Sequence, residues 1–183
     1  VYKRQRKEFE IFGYSINTKK DQITEKISNN FDFYRDISLK SDDEAANIIR
    51  SDKLDFIIDL MGYSSGSRMG ILSQKVAPIQ ISYLAYPSTT GSNQMDYLLA
   101  DKHAIPETEV NNFTEKVINI PGTFMCFDDT TKISEKVIKN QFYNFKKNSF
   151  IMVAFHRPQK LNLKTVLCWC EILNSIENSF LWI

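Results

Sequence analysis

Three short segments carry residue types that could hold and activate a charged small molecule. One is Phe155-His156-Arg157-Pro158-Gln159-Lys160, between a strand-like run at Phe150 to Phe155 and a helical pattern starting near Asn162. In an open parallel sheet that position is the crevice at the carboxyl ends of the strands, beside a helix N-terminus, where phosphate groups are commonly held. A departing diphosphate gains negative charge on its oxygens, and a fixed ammonium together with backbone N–H groups stabilises that charge without a metal. Lys160 is the candidate for this work, and Arg157 could add a second cationic contact or stack on a base. Taken singly, a Lys between two elements is more often a solvated surface residue. The same plain alternative holds for Arg157 and for a hydrogen-bonded His156.

The second segment, Leu84-Ala85-Tyr86-Pro87-Ser88-Thr89, follows the strand-like run Ile79 to Leu84 and sets small residues beside an aromatic ring, where a sugar or phosphate could sit. Its alternative is a Pro-bearing turn. The third, Gly62-Tyr63-Ser64-Ser65-Gly66-Ser67-Arg68, interrupts the apolar run Asp55 to Met61; its glycines and Ser pair can bring backbone N–H groups close to a ligand. Arg68 could bind an acceptor, buttress the loop or make a salt bridge at a helix start. Gly62, Gly66 and Gly70 fit neither the dinucleotide G-x-G-x-x-G nor a P-loop, and no Lys-Ser or Lys-Thr follows, so NAD and ATP lose support.

Other chemistries fail by inventory. No D-x-D pair offers a metal-bridged diphosphate arrangement, and two histidines, His103 and His156, are too few for a His-rich metal site. No metal and no cofactor are expected. A Ser-His-Asp hydrolase is poorly supported, because His103 lies in a polar segment and reads as a surface residue. Cys126, Cys168 and Cys170 lack metal-type spacing and read as reduced core filler.

These segments need a scaffold, and the chain can build one. Its 183 residues are 43% hydrophobic and 25% charged, ordinary for a globular protein with a substantial core. The net charge of +1, with 23 basic residues interspersed among 22 acidic ones, argues against nucleic acid as a partner. No apolar run approaches the roughly 20 residues that span a bilayer, and the opening lacks a signal peptide's apolar centre, so no membrane contact and a cytoplasmic location are expected.

Strand-like runs recur at Phe9 to Tyr14, Phe31 to Ile37, Asp55 to Leu60, Ile79 to Leu84, Tyr97 to Ala100, Lys116 to Ile120, Phe150 to Phe155 and Phe180 to Ile183. Helical patterns alternate with several: Asp21 to Ser28, a capping box at Ser41 to Glu44 ahead of Ala45, Ile48 and Ile49, and a stripe of Leu163, Val166, Leu167, Cys170 and Leu173. This alternation argues for βαβ units and a parallel sheet covered on both faces.

Five words in order, GYSSGSR from Gly62, APIQ from Ala77, YLAYPSTTGS from Tyr83, MDYLLAD from Met95 and FTEKVINIPGTF from Phe113, resemble the catalytic region of the O-linked N-acetylglucosamine transferase family. The resemblance runs from about Phe9 to Ile183. It implies an α/β fold of Rossmann-like parallel sheets, an incomplete piece of a two-lobed, GT-B type glycosyltransferase. The implied activity is metal-independent, inverting transfer of N-acetylglucosamine from UDP-N-acetylglucosamine to Ser or Thr hydroxyls of acceptor proteins, with tetratricopeptide repeats elsewhere in the parent chain. Lys160 matches a Lys that contacts the diphosphate. Leu84, Ala85 and Pro87 match the loop against the donor sugar, and Tyr86, Ser88, Thr89, Gly62, Tyr63 and Arg68 fall in its substrate-facing surroundings. The family usually shows Asn or Gln where this chain has His156 and Arg157, and Leu-Gly-Tyr-Pro-Gly-Thr where Ala85 and Ser88 replace both glycines. Any left-handed backbone there would cost about 1 kcal/mol.

The implied layout is residues 6–127 as the later part of the N-terminal lobe, 128–148 as the inter-lobe linker and 149–183 as the start of the nucleotide-binding lobe. Residues 1–5 read as an adaptor-derived scar, and the whole as an internal fragment. The family's candidate acid/base histidines precede this stretch and its main uridine-binding segments follow it, so no catalytic base is expected here and the fragment alone is expected to be inactive. Two rivals remain: the same scaffold with another UDP-sugar or an Asn acceptor, and a non-catalytic nucleotide-binding or partner-binding module.

Overall fold

The computed structural model describes residues 8–127, 130, 132–135 and 148–183. The suspected scar and most of the expected linker, including much of its short helix at Ser134 to Lys139, lie outside the described residues. The chain divides into two compact units, residues 1–127 and 128–183.

In the first unit, strands β1 (Phe12–Ser15) and β2 (Phe33–Asp36) form a parallel pair, while β3 (Phe56–Asp59), β4 (Ile79–Tyr83), β5 (Tyr97–Ala100) and β6 (Lys116–Asn119) form a parallel sheet in that order. Helices α1 (Gln22–Ser28), α2 (Asp42–Ser51) and α3 (Met69–Leu72) lie in the connections.

Helix α2 begins where its sequence says it must. The Ser41 hydroxyl accepts from the Glu44 amide at 3.2 Å and the Glu44 carboxylate accepts from the Ser41 amide at 2.8 Å, which satisfies two otherwise orphaned donors. Acidic residues fill its first turn and Arg50 its last, in keeping with the helix dipole. One face then buries Ala45, Ala46 and Ile49 against Ile37, Ile71, Leu72, Val76 and Met95, with Tyr14 and Ile57 at the margin. Full burial of a side chain such as Ile49 contributes roughly 1.5–3 kcal/mol. A second cluster sets Leu98, Ala100 and Ile105 against Val110, Phe113 and Val117, covering β5 and β6.

Both clusters lie on one face of the four-stranded sheet, because the parallel register aligns Ile57 with Gln80, Ser82 with Leu98 and Leu98 with Val117. On the other face Phe56, Ile58, Ile79 and Ile118 are between 39% and 43% exposed. Against expectation, therefore, the described elements cover the sheet on one face. Gln80 of the APIQ word is fully buried; its amide oxygen accepts from the Val76 amide at 2.9 Å and its nitrogen donates to the Leu72 and Gln94 carbonyls. Its work is to join the end of α3 to the segment entering β5.

The second unit contains the parallel pair β7 (Phe150–Val153) and β8 (Ser179–Trp182), joined through α4 (Leu163–Ser175). Asn162 caps α4 by accepting from the Thr165 amide at 2.9 Å. Its apolar stripe is open among the described residues, with Leu163 73% exposed. Cys126, Cys168 and Cys170 are free and exposed, which corrects their reading as core filler. The stripe predicted a buried face for α4, but Leu163, Val166 and Leu167 stay exposed, and the half-buried residues of the helix are Thr165, Trp169 and Leu173.

Candidate functional site

Lys160 closes a 3-10 turn, Pro158–Lys160, between the carboxyl end of β7 and the capped start of α4. Pro at the first position of the turn needs no amide partner, and the Lys160 amide donates to the Arg157 carbonyl at 3.0 Å. Phe155, His156, Arg157 and Lys160 line a shallow concavity. Phe155 meets Trp182 edge to face with centroids 5.3 Å apart, and the His156 ring lies 5.7 Å from that of Trp169 on α4. Arg157 and Lys160 are exposed and have no acidic partner among the described residues. Two unneutralised cations beside aromatic rings at a helix N-terminus suit a phosphate-bearing, planar ligand.

In the first unit β3 and β4 run parallel with Asp59 opposite Ser82, so the chain leaves both strands at the same edge of the sheet. This brings the Gly62–Arg68 turn and the Leu84–Thr89 loop together. The Asp59 carboxylate accepts from the Met61 and Gly62 amides at 3.1 and 2.7 Å, and Gly62 takes φ +53°. A Cβ at Gly62 would lie 2.3 Å from the Tyr86 Cβ, so glycine is what allows the two loops to touch. The Tyr63 ring packs edge to face on Tyr86 with centroids 5.7 Å apart, and its hydroxyl donates to the Thr90 carbonyl at 3.0 Å. The amides of Gly62, Ser64 and Ser67 are spent on bonds within the turn and its Asp59 cap.

The left-handed residue of the second loop is Leu84, at φ +74°, whose neighbours close a γ-turn from the Ala85 amide to the Tyr83 carbonyl at 3.1 Å. Ala85 and Ser88 do not take positive φ, so the side chains at these positions impose no left-handed strain. Strain at a single bulky residue is worth about 1–3 kcal/mol and persists where surrounding structure enforces it.

Arg68 is engaged within the first unit. Its guanidinium pairs with the Asp42 carboxylate at 2.6 Å and donates to the carbonyls of Ile37 and Lys40, fastening the turn to the start of α2. The Thr89 hydroxyl is similarly engaged, donating to Glu115 at 2.8 Å while accepting from the Gly91 and Thr114 amides. Glu115 went unremarked in the sequence. It is 3% exposed and accepts from the Thr90 amide at 2.7 Å and from the Thr90 hydroxyl. Burial alone would raise its carboxyl, but the Thr90 and Thr89 donors outweigh that and hold it below the ordinary glutamate range. His103 is exposed, and no cluster of metal-ligating side chains occurs among the described residues.

The family model described as glycosyl transferase family 41 matches residues 2–140. The chain belongs to glycosyl transferase family 41. The family 41 chain is 30% identical over 97% of its length to an Arabidopsis thaliana protein named "Probable UDP-N-acetylglucosamine--peptide N-acetylglucosaminyltransferase SEC", of which it spans 19%. It is 28% identical over 93% of its length to a Caenorhabditis elegans UDP-N-acetylglucosamine--peptide N-acetylglucosaminyltransferase, of which it spans 15%. Its fold matches a lysine-to-methionine mutant of the Thermobaculum terrenum O-GlcNAc transferase with TM-score 0.83 and 23% identity, covering 97% of this chain and 33% of that one. The family 41 α/β architecture with parallel sheets is thereby established, and the chain spans about a fifth of the curated relatives it matches.

Proposed function

We propose that this chain is part of a glycosyltransferase that moves N-acetylglucosamine from UDP to Ser or Thr hydroxyls of acceptor proteins, with inversion and without a metal. The observation that carries the reading is the open cationic turn at Arg157 and Lys160 ahead of α4, in a family 41 chain whose relatives are named for transfer of N-acetylglucosamine from UDP-N-acetylglucosamine to peptide. Lys160 and Arg157 take the diphosphate and stabilise the charge that develops on its leaving oxygen. In the first unit, Leu84, Ala85, Tyr86, Pro87 and Ser88 receive sugar and acceptor, with Gly62 and Tyr63 packed against Tyr86 and Arg68 and Thr89 acting as fasteners. The attacking hydroxyl needs a base, and no residue here is assigned that role.

Residues 6–127 then belong to the N-terminal lobe, 128–148 to the linker and 149–183 to the nucleotide-binding lobe. The parent acts in the cytoplasm and carries its tetratricopeptide repeats elsewhere. A different UDP-sugar is the second reading, favoured by His156 and Arg157, which stand where the family usually has Asn or Gln and line the concavity.

The test is incubation of the full-length gene product with radiolabelled UDP-N-acetylglucosamine and cell protein. The expected result is label on protein that survives a chelator and is released by alkaline β-elimination, which cleaves Ser and Thr linkages. No transfer, or label released only by an amidase specific for Asn-linked sugar, contradicts the reading.

A further inference from the structure

Glu115 has no part in the function proposed above, yet it is among the most completely engaged side chains of the first unit. It stands one residue ahead of β6 and is 3% exposed. An ionised carboxylate so buried is costly unless it is paired, and no Lys or Arg pairs with it among the described residues. Neutral donors surround it instead: the Thr90 amide at 2.7 Å, the Thr90 hydroxyl, the Thr89 hydroxyl at 2.8 Å and the Thr114 hydroxyl at 3.1 Å. A carboxylate is acceptor-only and can take all of these at once. A Gln in its place would turn an NH2 group toward one set of donors.

Thr89 and Thr90 close the far end of the loop that starts with the γ-turn at Leu84. The Tyr63 hydroxyl holds the Thr90 carbonyl from the neighbouring turn, so Thr90 is gripped through both its backbone groups. Between these fixed ends lie Ala85 to Ser88, of which Ala85, Pro87 and Ser88 are exposed. A loop strained at one end and anchored by a buried charge at the other is held in a single shape in advance of any ligand.

We infer that Glu115 is a positioning residue of the transfer reaction: its carboxylate fixes Ala85 to Ser88 in the shape that receives donor sugar and acceptor hydroxyl, and so sets turnover and not nucleotide affinity. The inference rests on the transferase reading. Misplacing a substrate-positioning loop by about 1 Å can cost on the order of a hundredfold in rate.

The experiment uses the full-length gene product with Glu115→Gln, Thr90→Val and Thr90→Ser, each checked for an intact fold by circular dichroism. Glu115→Gln and Thr90→Val are expected to lower kcat roughly tenfold or more while the Kd for UDP stays within about twofold. Thr90→Ser, which keeps the hydroxyl, recovers most of what Thr90→Val loses. The Glu115→Gln/Thr90→Val double variant falls no further than the worse single one, because both break one network. Hydrogen exchange at the Thr90 and Gly91 amides is expected to rise in Glu115→Gln. Folded Glu115→Gln and Thr90→Val proteins with wild-type kcat overturn the inference, as does a loss confined to UDP affinity. A wild type that neither binds UDP nor transfers sugar overturns the transferase reading and with it the role in turnover. The anchoring itself is then judged on exchange, where unchanged protection at Thr90 in Glu115→Gln refutes it.

Discussion

Gly62 and Gly66 both take positive φ, at +53° and +83°, but only Gly62 is also pressed against another loop. Gly66→Ala meets nothing within 4 Å and should cost only the left-handed backbone term, about 1 kcal/mol. Gly62→Ala adds a collision with Tyr86 and is expected to cost about 2–4 kcal/mol. Urea unfolding of the two variants checks this, and equal midpoints would show that the contact between the loops is not tight. The importance of Gly62 was legible because a Gly ending an apolar run marks a turn. That its neighbour would be Tyr86 was not legible, since this depends on β3 and β4 pairing in parallel. Glu115 was harder still. Its partners at Thr89 and Thr90 lie 26 and 25 positions away, and nothing local distinguishes it from a surface Glu ahead of a strand.

Elements were more legible than contacts. All eight strand-like runs became strands, shortened mostly at their ends, because short β-branched and aromatic runs bounded by turn residues leave few alternatives. The capping box at Ser41 fixed the start of α2, and Asp21 with Thr24 forms a second box at α1. Ser41→Ala is expected to destabilise the first unit by about 1 kcal/mol, read as a lower urea midpoint with unchanged slope. A Ser41→Asp variant, which can still cap, should recover most of it. Helix α3 was missed because four residues are too few to show a period. The open face of α4 corrected the reading of Cys168 and Cys170, since a helical stripe predicts that a face is covered but not by what.

For the molecule as a whole, stability should follow pH through groups that bury or pair on folding. Arg35 donates to Asp52 and holds its carboxyl below the ordinary range, helped by the Tyr14 hydroxyl, and Glu115 is held low by its threonines. With folded values depressed, the unfolded chain binds more protons. The stabilisation is complete above the unfolded values of about 4 and is lost as pH falls through the lower folded values. Tyr14 has the opposite sign. Burial, and then its bond to Asp52, raise its pKa, so its contribution is complete below the unfolded value of about 10 and is lost as pH rises beyond that. Urea midpoints across roughly pH 3 to 11 should fall at both ends, and Tyr14→Phe should flatten the alkaline limb. A midpoint that rises on acidification would contradict the assignment.

The central claim is that the turn ahead of α4 holds a nucleotide diphosphate through Lys160. Calorimetric titration of UDP into the full-length protein and its Lys160→Ala variant tests it most directly. The account predicts binding by the wild type and a loss of roughly 1.5–3 kcal/mol in the variant, the scale of a charge-assisted hydrogen bond. A wild type that binds no UDP, or a variant that binds it equally well, would contradict it.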